Sequence, residues 1–244
     1  IEEGEGLVVE TDHSGLAGGP DNLAWKAAEL LARCCGKIPN VHIRLNKKIF
    51  LAAGLAGGSS DAAAVLRGLN RLWRLGLTTK ELEKLAAELG SDIPFCITGG
   101  TALAEGRGEI LTELPEAPEL LLVLAKPKLE VATGWVYGNF CQQQVNQRPD
   151  IDGIIKALGQ SEPGLLLASC GNVLESVTIP AHPVIAEIKQ KMLAAGATYA
   201  LMSGSGPTVF AVAEKKEITE RILTELSELD LETAVTTTVQ KERI

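Results

Sequence analysis

The sequence is short of aromatic rings, of histidine and of positive charge, and each shortage narrows what the chain can do. Only 4% of its 244 residues are Phe, Trp or Tyr, so each ring carries a large share of packing or recognition. Lys and Arg number 23 against 31 Asp and Glu, a net charge of -8 that repels a phosphate backbone at long range. That excludes a nucleic-acid partner but leaves room for a local pocket holding one phosphorylated ligand. His13, His42 and His182 have no Ser, Cys or Asp partner at an informative spacing, so no histidine-based nucleophile is expected. No apolar run approaches the roughly 20 residues of a membrane span, and IEEGEG at the start lacks a basic n-region, so the reading is a cytoplasmic protein without a membrane partner. Five cysteines, at 34, 35, 96, 141 and 170, form no CxxC and no Cys/His metal spacing. Reduced thiols fit best, with the adjacent Cys34 and Cys35 expected as buried core of a helix. Residue 1 is Ile rather than Met, from which a missing N-terminal piece is expected.

What is present is a chain long enough for two modest cores. LVVET at 7–11 reads as a strand, HSGLAGGP as loop, and Asp21 or Asn22 as the cap of a helix through LAWKAAELLARCC. VHIRLNK alternates as a strand with one wet face, and a glycine loop at 54–58 leads into a helix from Ser59 to about Trp73. Thr78 or Thr79 caps ELEKLAAEL, which should stop at a left-handed Gly90. TALAEG and EILTEL suggest a short hairpin. The proline- and acid-rich LPEAPE at 114–119 is the candidate linker, giving domains 1–115 and 116–244. Beyond it, strand, helix, strand, strand, helix, strand over LLLVLAKP to TAVTTTV predicts helices on one face of a mainly antiparallel sheet, an α+β class.

The segment richest in chemistry is Ala52-Ala53-Gly54-Leu55-Ala56-Gly57-Gly58-Ser59-Ser60-Asp61-Ala62-Ala63-Ala64, between a strand and a helix. Its glycines let backbone approach an anion closely, and the helix start offers unpaired N–H groups at the positive end of its dipole. The Ser59 and Ser60 hydroxyls can cap the helix or bind a phosphate-coordinated Mg²⁺, and Asp61 is placed in the first turn. The plainer alternative is a tight turn with a serine cap. The loop is neither a GK[ST] phosphate loop nor a GxGxxG dinucleotide fingerprint.

Gly54 to Ser60 resembles the ATP loop of the GHMP kinases. Leu89-Gly90-Ser91-Asp92-Ile93-Pro94-Phe95-Cys96, Gly99-Gly100-Thr101-Ala102 and Glu105-Gly106-Arg107-Gly108-Glu109 are similar to the branch of that family serving the non-mevalonate isoprenoid pathway. Met202-Ser203-Gly204-Ser205-Gly206-Pro207-Thr208 looks like its third glycine motif. The resemblance implies a two-domain fold, with a ribosomal-protein-S5-like N-terminal domain and a ferredoxin-like C-terminal domain. It implies phosphoryl transfer from ATP with Mg²⁺ to the 2-hydroxyl of a cytidine-diphosphate-linked methylerythritol. Residues 50–60 would bind ATP, Ser60 the metal, and Asp92 would take or orient the hydroxyl proton. Tyr137 would stack on the cytosine, with Gly204, Ser205 and Gly206 also on the substrate. Without the resemblance, Asp92 reads as an exposed turn residue, and Tyr137 and Trp135 as core or rim rings.

The family's early Ala-Lys-Ile-Asn and Gly-Tyr-His segments are not found in residues 1–21, and Phe50 stands where the family usually has proline. From those departures severely weakened or absent kinase activity is expected if 1–244 is the whole polypeptide, with exposed sheet edges that favour association. Two rival readings are a nucleotide-binding fragment without turnover and a kinase for another small alcohol such as homoserine.

Overall fold

The computed structural model describes residues 1–145, 147–160 and 162–241. The chain divides into two compact units. The first holds Ile1–Ile49 and Ala56–Glu113; the second holds Phe50–Leu55 together with the chain from Leu114 onward.

In the first unit, strands β1 (Glu2–Glu3), β2 (Leu7–Thr11) and β3 (Val41–Leu45) form a sheet in the order β1-β3-β2. β2 and β3 run parallel, which requires a crossover, and α1 (Leu23–Cys34) supplies it. Asn22 caps α1 by accepting from the Ala24 N–H. α1 packs against α2 (Gly57–Leu72) through small residues, Ala24, Ala27 and Ala28 on one helix and Ala62 and Ala63 on the other, all nearly inaccessible. Leu31, Leu66, Leu69, Val41 and Ile43 complete this core. α3 (Thr79–Leu89) starts with a reciprocal capping box between Thr78 and Glu81. α4 (Ile93–Thr98) then inserts Ile93 and Ile97 into the same core, and the hairpin β4 (Ala102–Glu105) and β5 (Ile110–Glu113) follows.

In the second unit, β6 (Leu121–Pro127), β7 (Tyr199–Met202), β8 (Val209–Ala213) and β9 (Leu231–Thr237) pair in the order β7-β8-β6-β9, every neighbour antiparallel. Numbered within the unit this is 2-3-1-4, the split arrangement expected of a ferredoxin-like domain. α9 (Val184–Ala194) and α10 (Lys216–Glu225) bury Ile185, Ile188, Met192 and Ile222 with Val123, Ala125, Val209 and Ala211. The segment between β6 and α9 holds α5 (Thr133–Gly138), α6 (Ile151–Gln160), α7 (Pro163–Ser169) and α8 (Glu175–Ala181).

Three local expectations are corrected. α2 begins at Gly57 rather than Ser59, because Ala56 adopts the cap conformation itself. Gly90 ends α3 with φ 174°, extended backbone rather than left-handed, as the chain turns directly into α4. Cys34 is exposed and Cys35 half-buried, because the alanines and leucines of α1 take the core face.

Candidate active site

In the first unit, the start of α2 is left open. Ala56, at φ 52° and ψ 26°, occupies the cap position with no side-chain cap hydrogen bond, so the N–H groups of Gly57, Gly58 and Ser59 have no intrahelical or side-chain partner. The first helical bond is Ser60 N–H to Ala56 C=O at 2.8 Å. The serines therefore do not cap the helix. Ser60 is exposed.

Asp61 is not in the first turn, since the helix starts earlier. Its carboxylate instead takes the Lys47 ammonium at 2.5 Å, with side chains 22% and 4% exposed. The Lys47 N–H donates to Asp12 Oδ1 at 2.8 Å, fixing the exit from β3. A Cβ added at Gly57 would lie 3.2 Å from Ile49 and 3.7 Å from Lys47 Nζ, so the ammonium sits alongside the open helix end. Pattern reading missed this pair, because 14 residues separate its members and Lys47 belongs to no motif.

Asp92 also lies in the first unit, at the cap position of α4, which packs against α2. It is exposed and makes no cap hydrogen bond, while buried Ile93 and Pro94 anchor the chain beside it. Its carboxylate is thus presented on a fixed backbone without being consumed by the helix. The neighbouring Cys96 thiol is pushed up to about 11 by burial and by the Asp92 charge, which keeps it a neutral packing group.

In the second unit, residues 50–55 pack on the 203–206 loop. Ser203 Oγ donates to Gly54 C=O at 2.8 Å. Gly54 has φ +68°, and a Cβ there would fall against the Ser203 carbonyl oxygen and 2.9 Å from that of Gly206. Only glycine combines that backbone with that approach. Gly204, at φ +54°, faces the other side of the same contact, its own Cβ position 3.2 Å from Gly54 C=O. Ser205 is buried, its hydroxyl 3.0 Å from that of Thr133, and its carbonyl accepts from Thr178 Oγ1 at 3.2 Å. Phe50 and Leu51 are half-buried, Ala52 is exposed and Ala53 is buried.

On α5, Tyr137 is 64% exposed, a ring with an open face. Trp135 is 43% exposed and meets His182 edge-on at 6.3 Å, a rim position.

The sequence matches the description "GHMP kinases N terminal domain" over residues 22–100 and "GHMP kinases C terminal" over 145–229. A curated 4-diphosphocytidyl-2-C-methyl-D-erythritol kinase from Brevibacillus brevis is 48% identical over 221 residues, which cover 91% of this chain and 75% of that one. The chain belongs to the GHMP kinase family. A relative of the same name from Moorella thermoacetica is 47% identical over 96% of this chain and 83% of its own length. Among solved structures, a 4-(cytidine 5'-diphospho)-2C-methyl-D-erythritol kinase superposes with a TM-score of 0.77 at 31% identity, over 97% of this chain and 83% of that one. Homoserine kinase from Cytophaga hutchinsonii gives 0.80 at 20% identity over 99% and 84%, a likeness of fold alone. The two-domain α+β architecture expected from the GHMP motifs is thereby borne out, and so is a phosphotransferase. Among the described residues no helix is long and apolar enough to cross a membrane.

Proposed function

We propose that the chain transfers the γ-phosphoryl group of ATP to the 2-hydroxyl of 4-diphosphocytidyl-2-C-methyl-D-erythritol. The observation that carries this reading is the identity of 46–49% to curated kinases of that name, extending through both family domains. The homoserine alternative rests only on a shared fold.

Phosphoryl transfer asks a protein mainly for positioning and charge stabilisation. Residues 50–60 form the ATP loop in this reading, and the open N–H groups of Gly57, Gly58 and Ser59 would hold phosphate oxygens at the positive end of α2. Among the described residues no group of three His, Cys, Asp or Glu gathers, so a protein cage for Mg²⁺ is not on offer. That suits a hard cation arriving on the triphosphate with its waters, and the exposed Ser60 hydroxyl is the protein oxygen we assign to it. When bound, the metal offsets charge on the β- and γ-phosphates. Asp92 accepts or orients the proton of the attacking hydroxyl. The open Tyr137 ring stacks on the cytosine, and Gly204, Ser205 and Gly206 hold the substrate. In this reading the first unit supplies Gly57 to Ser60 and Asp92, and the second supplies the 50–55 part of the ATP loop, Tyr137 and residues 204–206.

ADP release with MgATP and the cytidine substrate tests the reading, with homoserine and mevalonate as competing acceptors. Turnover with the cytidine compound alone is expected. Preference for either other alcohol overturns the assignment.

A further inference from the structure

The 203–206 loop is held by side chains that carry no glycine signal. Asn172 Nδ2 donates to the carbonyls of Met202 at 2.8 Å and Gly204 at 2.7 Å, while its Oδ1 accepts the Leu174 N–H at 2.9 Å, which fixes the amide's orientation. Glu175 Oε1 accepts the Met202 N–H at 2.9 Å, and its two oxygens take Lys189 Nζ at 2.7 and 2.6 Å. Thr178 adds the bond to Ser205 C=O. Asn172, Glu175 and Thr178 recur every three residues, so one side of this segment grips the loop repeatedly.

The peptide linking Gly204 to Ser205 is trans and planar, so its N–H points opposite to the carbonyl that Asn172 holds. The neighbouring peptide is pinned likewise, Ser203 C=O accepting from the Gly206 N–H at 2.9 Å. The N–H groups of Gly204 and Ser205 are thus each turned away from the anchor on their own peptide's carbonyl, with Gly204 at φ +54°. Ser203 carries the same anchoring to Gly54 through its hydroxyl.

We propose that Asn172 and Glu175 are positioning residues for phosphoryl transfer. They set the plane of the 204–205 peptide so that its N–H meets an oxyanion of the bound substrates, and through Ser203 they register the 50–55 segment to it. This rests on the reading of residues 204–206 as substrate-holding, so the test has an arm that needs no turnover.

Asn172→Ala, Glu175→Gln and Ser203→Ala are compared with the wild type by amide hydrogen exchange without ligands and by steady-state kinetics. Asn172→Ala should raise exchange at 203–206 by about tenfold or more while β6, β8 and α9 stay protected, the mark of local rather than global opening. Its kcat should fall by roughly 10- to 100-fold, the cost of a misplaced reacting group, with the KM for ATP changing by less than about threefold. Ser203→Ala, which removes one bond, should raise exchange at 52–55 and leave 203–206 protected. If Asn172→Ala does not fold, Glu175→Gln decides by the same measurements, with an expected kcat loss of about 3- to 10-fold.

A folded Asn172→Ala with wild-type exchange at 203–206, or with kcat within about threefold of wild type, overturns the proposal. So does exchange rising equally across the second unit, which would mean a merely structural role. Should the wild type not turn over the cytidine substrate, the functional reading fails by itself. The exchange arm then still decides whether these residues set the loop.

Discussion

The two glycine-rich segments reach similar ends by opposite means. At the start of α2 the cradle we propose for phosphate is made by its own helix: Ala56 turns left-handed, the next three N–H groups are open, and one ion pair, Lys47 with Asp61, pins the element to the end of β3. The 203–206 loop has no helix of its own and is held from outside by Asn172, Glu175, Thr133 and Thr178. A loop backed by a helix is rigid by local hydrogen bonding. A loop between two strands must borrow rigidity from distant side chains, so its failure modes are spread along the chain.

The largest effect is expected at Asp92, which belongs to neither anchoring scheme. Asp92→Asn removes the carboxylate we propose to take or orient the hydroxyl proton and should lower kcat by about 10²- to 10⁴-fold. Because the residue is exposed and makes no cap bond, unfolding stability should change by less than about 0.5 kcal/mol. ADP release and thermal melting on the same preparation check both halves. A variant that keeps its rate but melts early would make Asp92 a turn residue.

Next comes the anchor of the first segment. Asp61→Ala leaves the Lys47 ammonium, 4% exposed, without its carboxylate. Breaking a buried pair from one side costs about 3–5 kcal/mol; with Asp61 itself 22% exposed, a loss just below that range, about 2–3 kcal/mol, is expected from the urea midpoint of the first unit. A loss below about 0.5 kcal/mol, the range of an ordinary surface change, would mean that the helix end holds itself and would remove the ion pair from the comparison.

The same contrast explains what could be read from the sequence. A cap at Asp21 or Asn22, a cap at Thr78 or Thr79 and the alternation of strands and helices in the second unit follow from short-range patterns and are legible, whereas the order of β6 to β9 joins strands over 100 residues apart and is expected only through the family resemblance. The glycine run at 54–58 announced a close backbone approach, although the helix start lay two residues earlier than the serines suggested, because Ala56 takes a conformation that its side chain gives no reason to expect. Asn172 and Glu175 are invisible in the sequence because their partners lie 30 and 27 residues away, and a lone Asn before a short helix or a lone Glu at its start has no periodic signature. Their neighbourhood was opaque as well. α5, α7 and α8 span only six or seven residues each, and Pro180 lies inside α8, which leaves too little of the hydrophobic spacing that betrays longer helices.

Tyr137 distinguishes recognition from anchoring. Its ring is 64% exposed and holds neither loop, so Tyr137→Ala should spare stability and the KM for ATP. The KM for the cytidine substrate should rise roughly 5- to 150-fold, the equivalent of losing 1–3 kcal/mol of base stacking, and Tyr137→Phe should restore most of it. Equal changes in both KM values would show that α5 supports the loops rather than the base.

The smallest effect separates conformational strain from contact. Ala56 holds φ 52° where an L-residue is disfavoured by about 1–2 kcal/mol, and glycine would relieve that strain. Glycine also loosens the unfolded chain, which takes back about 0.4–1 kcal/mol. Ala56→Gly should therefore stabilise the first unit by up to roughly 1 kcal/mol, read as a small upward shift in its urea midpoint. The sign matters more than the size. Destabilisation would mean that the Ala56 methyl group is a packing contact that holds the cradle shut, and the first segment, like the second, would then depend on side chains for its shape.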